Sequence, residues 1–164
     1  MKHVCSGNTT TEITKIQAGD VQPNAVDLRL GKVWEIGSDD FTITNDSKKH
    51  RSSVELEVQL DGFYHLDVGD YDVTMENEIT VGEDEAGYVI TRSSLNRNNV
   101  YLTSGLYDSR YKGALGCVLH VGSGKMKIKP GTRIGQYIMW KAEMIGEGYS
   151  GDYGFGGKHD QKYN

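Results

Sequence analysis

Alternation constrains this chain more than any other feature. In VELEVQL, residues 54–60, Val54, Leu56, Val58 and Leu60 project to one side while Glu55, Glu57 and Gln59 project to the other. That period of two is what a half-buried strand requires. Further short apolar runs occur at 33–36, 41–43, 71–75, 88–91, 100–103, 115–121, 126–128 and 134–142. Short strands separated by turn signals specify an all-β sandwich or barrel. The 21 glycines against 2 prolines agree, since they supply tight turns and few rigid linkers. Helical periodicity is weak; one helical turn is expected around 94–98 and another near 10–18. No internal repeat is visible.

A chain of 164 residues fits one domain. Residues 1–147 are expected to form it. Residues 148–164 are Gly-rich and polar with single aromatics, too poor in apolar groups for a core of their own. They are expected to be a mobile tail that orders on something else. With 18 Lys and Arg against 23 Asp and Glu, the formal net charge is −5, which argues against a sequence-independent nucleic-acid binder. An anionic ligand must be held locally. Cys5 and Cys117 lie far apart without a CxxC pair, so neither a disulfide framework nor a thiolate metal site is indicated. There is no signal-like apolar segment at the start and no apolar run approaching 18 residues. A soluble protein in a reducing cytoplasm, without a membrane partner, is expected.

Several chemistries lack their residues. His3, His50, His65, His120 and His159 are scattered, with no HxE or HExxH arrangement, which disfavours a zinc hydrolase or zinc nucleobase deaminase. No GxxxxGK[ST] loop or strand-to-helix GxGxxG is present, and neither Ser93 nor Ser94 sits in a GxSxG elbow.

Three stretches remain. In QPNAVDLRLG, residues 22–31, Asp27 is an acid inside a strand-like apolar run. A buried carboxylate is costly unless paired, so Asp27 is expected to have a partner. In TRSSLNRNN, residues 91–99, arginines and hydroxyls gather where a strand gives way to a helical turn, a composition suited to phosphate oxygens or, equally, to a solvated helix cap. In GLYDSRYKGALGCVLHV, residues 105–121, Asp108 and Tyr111 flank a turn that leads into a strand.

In order and spacing, AVDLRLG, RSSLNR, GLYDSRYKG, PGTRIGQ and GDYGFGG resemble the successive motifs of the dUTPase/dCTP deaminase family, over about residues 20–158. The resemblance implies a distorted jelly-roll β-barrel and a homotrimer whose active sites are shared between chains. It also implies Mg²⁺ carried mainly on the triphosphate and water of a deoxynucleotide substrate.

The family has two chemistries. The N-terminal half resembles the deaminase branch, with Ser93 and Arg97 matching positions that meet the pyrimidine ring. That branch activates water with a glutamate on the strand after the third motif, and counting from Gly113 places Val118 there. Valine cannot accept a proton, and no Asp or Glu lies between Gly113 and the next turn. The third motif instead resembles the dUTPase form, in which an aspartate activates water for attack on the α-phosphorus, releasing dUMP and pyrophosphate. Asp108 matches that aspartate and Tyr111 the aromatic beneath the deoxyribose. Ser93 and Gln136 match groups holding phosphate oxygens, with Arg92 and Ser94 beside them. Gly105 and Tyr107 belong to the hairpin that receives the base. Asp27 would lie across a subunit boundary near the hydrated Mg²⁺, and Phe155 would close over the pyrimidine.

Departures from the pattern concern the substrate. The hairpin between Arg92 and Asp108 is short, Tyr107 replaces a common aliphatic residue, and Ser150 stands where an arginine usually precedes the Gly-Phe segment. Lys158 or Arg133 would then supply charge to the γ-phosphate. dUTP hydrolysis is the leading expectation. A dCTP-directed relative, either a pyrophosphatase or a deaminase, and a non-catalytic nucleotide-binding regulator are the alternatives.

Overall fold

Most of the alternating runs assemble into one eight-stranded sheet that nearly closes on itself, while Tyr64–Leu66 with Met126–Ile128 and Thr42–Ile43 with Lys48–Lys49 form two separate two-stranded sheets. A computed structural model describes residues 1–155. The strands are β1 (Glu12–Ile13), β2 (Val26–Ile36), β3 (Thr42–Ile43), β4 (Lys48–Lys49), β5 (Ser53–Glu55), β6 (Tyr64–Leu66), β7 (Gly69–Thr80), β8 (Glu85–Thr91), β9 (Val100–Thr103), β10 (Lys112–Val121), β11 (Met126–Ile128) and β12 (Arg133–Lys141). One helical turn, α1 (Ser93–Asn96), links β8 to β9. The main sheet runs β8-β12-β2-β7-β10-β9, with β1 on β7 and β5 on β2. An antiparallel bridge between Gly87 and Tyr107 joins β8 to the segment after β9, with hydrogen bonds of 2.8 and 3.1 Å. Glycine is required at 87, because a Cβ there would lie 2.4 Å from the Tyr137 hydroxyl oxygen.

Period-two burial runs along β10, where Gly113, Leu115, Cys117, Leu119 and Val121 are buried and the residues between them half-exposed. Leu28, Leu30, Val33, Val73, Ile79, Ile134 and Met139 complete the core from β2, β7 and β12. The all-β expectation holds, and the helical turn falls at α1 as read. Two local expectations do not hold. Of residues 54–60 only the first two are in a strand, since β5 ends at Glu55 and the backbone turns at Asp61–Gly62, where Gly62 has φ +82°. Val54, Val58 and Leu60 are consequently exposed. The segment near 10–18 is not helical; Glu12 and Ile13 pair with Thr80 and Ile79. Threonine hydroxyls there bond outside the segment, Thr11 to Glu85 and to the Gly82 amide, which competes with helix formation.

Glu85 ties this N-terminal segment to β8. Its carboxylate is buried and accepts from Lys2 Nζ at 2.8 Å, Thr9 Oγ1 at 2.5 Å and Thr11 Oγ1 at 2.6 Å. Burial opposes its ionisation, but these donors outweigh burial and hold it at about 2. A folded-state value below the unfolded one stabilises the fold fully above about pH 4.5, and the contribution disappears as pH falls toward 2. A loss of about 2–3 kcal/mol is expected across that window. Urea midpoints at pH 5.5 and 2.5 will show it, and Glu85→Gln should remove most of the difference; an equal acid loss in the variant would assign the effect to other groups.

Candidate active site

The strand order β8-β12-β2 brings three stretches of distant sequence to one place. Gln136 of β12 sits opposite Asp27 of β2, and Arg92 follows β8 directly, its amide bonded to the Ile134 carbonyl at 3.1 Å. The Asp27 side chain is fully buried. Its Oδ1 accepts from Gln136 Nε2 at 2.9 Å, and its Oδ2 accepts from Gln22 Nε2 and Arg133 Nη1, each at 3.2 Å. Arg92 Nε lies 3.3 Å from the same oxygen. The partner expected for Asp27 is therefore four side chains. Two guanidinium groups against one carboxylate leave a net positive charge, and both remain partly exposed, at 28% and 35%. Arginines held this way can present further N–H groups to phosphate oxygens. Ser93, Ser94 and Arg97 lie exposed on and just after α1, beside Arg92.

A second buried pair supports this corner and was not foreseen. Asp20 accepts from Arg29 Nη2 at 2.6 Å and Nε at 3.0 Å. Burial raises the Asp20 carboxyl, yet hydrogen bonds from Arg29 and the Gln17 amide bring it below the ordinary value. Arg133 also donates to the Gly19 carbonyl at 2.8 Å, so the 17–22 loop is fastened to the Asp27 cluster. The sequence signal was Arg29 itself, two residues beyond Asp27 and on the same side of β2.

A cavity of about 810 Å³ is lined by residues other than those of the Asp27 cluster. Its floor is a row across three adjacent strands, with Val118 of β10 opposite Asp72 of β7 and Thr103 of β9. Gly105, Tyr107 and Tyr111 form one wall, and Phe41, His50, Tyr149 and Tyr153 cover it. The Tyr107 hydroxyl donates to the Gly116 carbonyl at 2.7 Å and the Tyr111 hydroxyl to the Ala114 carbonyl at 2.8 Å. Burial holds the Tyr107 phenol well above its ordinary value. The ring of Tyr111 meets those of Tyr107 and Tyr149 edge to face, each at 5.2 Å.

Asp108 sits on the turn between these two tyrosines. Tyr107 and Ser109 on either side of it are buried, and Ser109 Oγ donates to the Glu85 carbonyl at 2.8 Å. The Tyr111 amide closes the turn onto the Asp108 carbonyl at 3.0 Å, and Arg110 adopts φ +66°. The Asp108 side chain is exposed and, among the described residues, its carboxylate has no hydrogen-bond partner. The final described segment packs on the same turn, with the Tyr149 amide donating to Ser109 at 2.9 Å and the Phe155 amide to Lys112 at 2.7 Å. Phe155 is half-exposed and outside the cavity lining. Lys158 lies outside the described residues.

The sequence-derived residues thus fall into two groups. Asp27, Arg92, Arg133 and Gln136 form one cluster with Ser93 and Ser94 nearby; Gly105, Tyr107 and Tyr111 belong to the cavity, with Asp108 on the turn beside it. Asp72 is not recognisable from the sequence around Val118, because it reaches that position from the neighbouring strand. Among the described residues no group of three or more His, Cys, Asp or Glu side chains is arranged to hold a metal. Both Asp27 oxygens are occupied by protein donors, so the donor set fits a cation carried by a bound triphosphate and water better than one gripped by the chain. No described helix is long and apolar enough to cross a membrane.

Comparison with known proteins shows the family and the fold. The model of a family described as dCTP deaminase-like matches residues 3–142. A probable deoxyuridine 5'-triphosphate nucleotidohydrolase of Methanococcoides burtonii is 31% identical over 139 residues, 81% of this chain and 80% of that one. The deoxyuridine 5'-triphosphate nucleotidohydrolase of Methanocaldococcus jannaschii is 27% identical over 140 residues, 84% of this chain and 89% of that one. Among solved structures, the 2'-deoxycytidine 5'-triphosphate deaminase of Agrobacterium tumefaciens superposes with a TM-score of 0.59 at 18% identity, over 79% of this chain and 43% of that chain. The dUTPase of Staphylococcus bacteriophage 80alpha superposes with a TM-score of 0.54 at 11% identity, over 88% of this chain and 97% of that one. On fold, motifs and relatives together, the chain belongs to the dUTPase/dCTP deaminase family.

Proposed function

We propose that the protein hydrolyses dUTP to dUMP and pyrophosphate. The observation that carries this reading is Asp108, an exposed carboxylate without a hydrogen-bond partner among the described residues, held on a fixed turn between Tyr107 and Tyr111. Such a carboxylate can take a proton from water. Water oxygen bonds to the α-phosphorus, the bond from that phosphorus to the bridging oxygen breaks, and the water proton passes to Asp108 while pyrophosphate departs. Tyr111 packs beneath the deoxyribose. Arg92, Ser93, Ser94 and Gln136 hold phosphate oxygens, with Arg133 and Lys158 toward the γ-phosphate and Arg97 near the ring. Mg²⁺ on the triphosphate would neutralise charge on the leaving group, and Asp27 positions the arginines around it. Phe155 and the tail close over the base.

The phosphate cluster and the base cavity do not share lining residues within one chain, which favours a homotrimer whose sites combine the cluster of one subunit with the cavity of another. The cytoplasm is the proposed setting.

One observation favours a second reading. Asp72 lies directly opposite Val118 on the cavity floor, which puts a carboxylate beside the position that a glutamate holds in the deaminase branch. Incubation with dUTP and with dCTP, with all products resolved, separates the two. Pyrophosphate and dUMP from dUTP are expected; ammonia and dUTP from dCTP would replace the proposal with the second reading.

A further inference from the structure

The cavity floor continues into a hydrogen-bonded relay that none of the motifs accounts for. One step along the strands from Asp72, Val118 and Thr103, the register brings Asp70, His120 and Tyr101 side by side. His120 Nδ1 lies 2.7 Å from Asp70 Oδ1, and His120 Nε2 lies 2.9 Å from Thr103 Oγ1. The imidazole stacks on Tyr101, with centroids 4.6 Å apart and planes within 19°. Thr103 lines the cavity, whereas Asp70 and His120 do not.

The donors and acceptors in this chain have only one consistent order when the imidazole is neutral. An ionised carboxylate accepts only, so Nδ1 carries the hydrogen and Nε2 becomes the acceptor. The Thr103 hydroxyl must then donate its single hydrogen to Nε2. What it offers to a ligand is lone pairs alone.

Resting on the dUTP reading, we infer that Thr103 is a specificity-determining residue: held by the Asp70–His120 pair, its Oγ1 accepts the N3–H of a uracil ring. Cytosine has a bare acceptor at N3, so two lone pairs would face each other and the contact is lost. The groups bordering His120 are Asp70 and, one row along, Asp72 on β7, and Tyr101 and Thr103 on β9. His120 and Asp70 are thus positioning residues.

The test compares kcat/KM for dUTP and dCTP at pH 8 in the full chain, in Thr103→Val and in Thr103→Ser. Valine keeps the shape and removes the acceptor, so the dUTP preference at pH 8 should fall roughly 5- to 100-fold. Serine should restore it. An unchanged preference in Thr103→Val, or a failure of serine to restore it, would overturn the inference. Should the unaltered protein release no pyrophosphate from dUTP, the hydrolase reading fails separately. The ratio of dUTP to dCTP dissociation constants, by calorimetry in the same variants, then decides the role of Thr103.

Discussion

Replacing Asp108 with asparagine should lower kcat for dUTP hydrolysis by about 10²–10⁴-fold, the usual contribution of a positioned general base, while dUTP still binds within a few-fold of its original affinity. Asparagine keeps the size of the side chain and cannot take the proton. Because Asp108 is exposed and its side chain has no partner among the described residues, the change should leave melting temperature within about 2 °C, in line with surface substitutions generally. The turn is held by its neighbours, through the Ser109 hydroxyl on Glu85 and the Tyr111 amide on the Asp108 carbonyl. Stopped-assay rates and calorimetric binding in parallel separate lost chemistry from lost binding. Turnover near that of the unaltered protein would remove Asp108 from the mechanism.

Asp27→Ala should have the opposite signature, with a large effect on stability. Four side chains converge on this carboxylate, and its removal leaves two guanidinium groups facing one another. Breaking a buried ion pair from one side costs about 3–5 kcal/mol. Arg92 and Arg133 are about one-third exposed, so water screens part of that, and about 2–4 kcal/mol is expected. For a chain of this size the melting temperature should drop by roughly 5–15 °C. Asp27→Asn retains the bond to Gln136 and should lose less. A melting temperature within 2 °C of the original for Asp27→Ala would show that the cluster does not hold β2 and β12 together.

Local pattern made much of this architecture readable, and its limits are physical. The runs at 100–103 and 126–128 became β9 and β11 with the same ends, because alternation and flanking turns agree there. In 54–60 the alternation is equally clear, yet among the described residues its ladder with β2 ends at Glu55, followed by a bond from the Leu56 amide to the Val33 carbonyl. Periodicity tells which side of a strand is apolar, not whether a neighbour covers it. Asp27 was recognisable because an acid in an apolar run demands compensation. Asp72 and the His120 relay were not, because their significance arises from cross-strand register: Val118 opposite Asp72, and His120 opposite both Asp70 and Tyr101. Residues 19 to 50 positions apart in sequence become neighbours only once the strands are paired, and a single sequence carries little information about that pairing.

Catalysis by Asp108 as proposed requires water to attack the α-phosphorus of dUTP, and hydrolysis in H₂¹⁸O followed by mass spectrometry of both products reads that step. One ¹⁸O atom should appear in dUMP and none in pyrophosphate; label found in pyrophosphate with unlabelled dUMP would place the attack on the β-phosphorus and contradict the account.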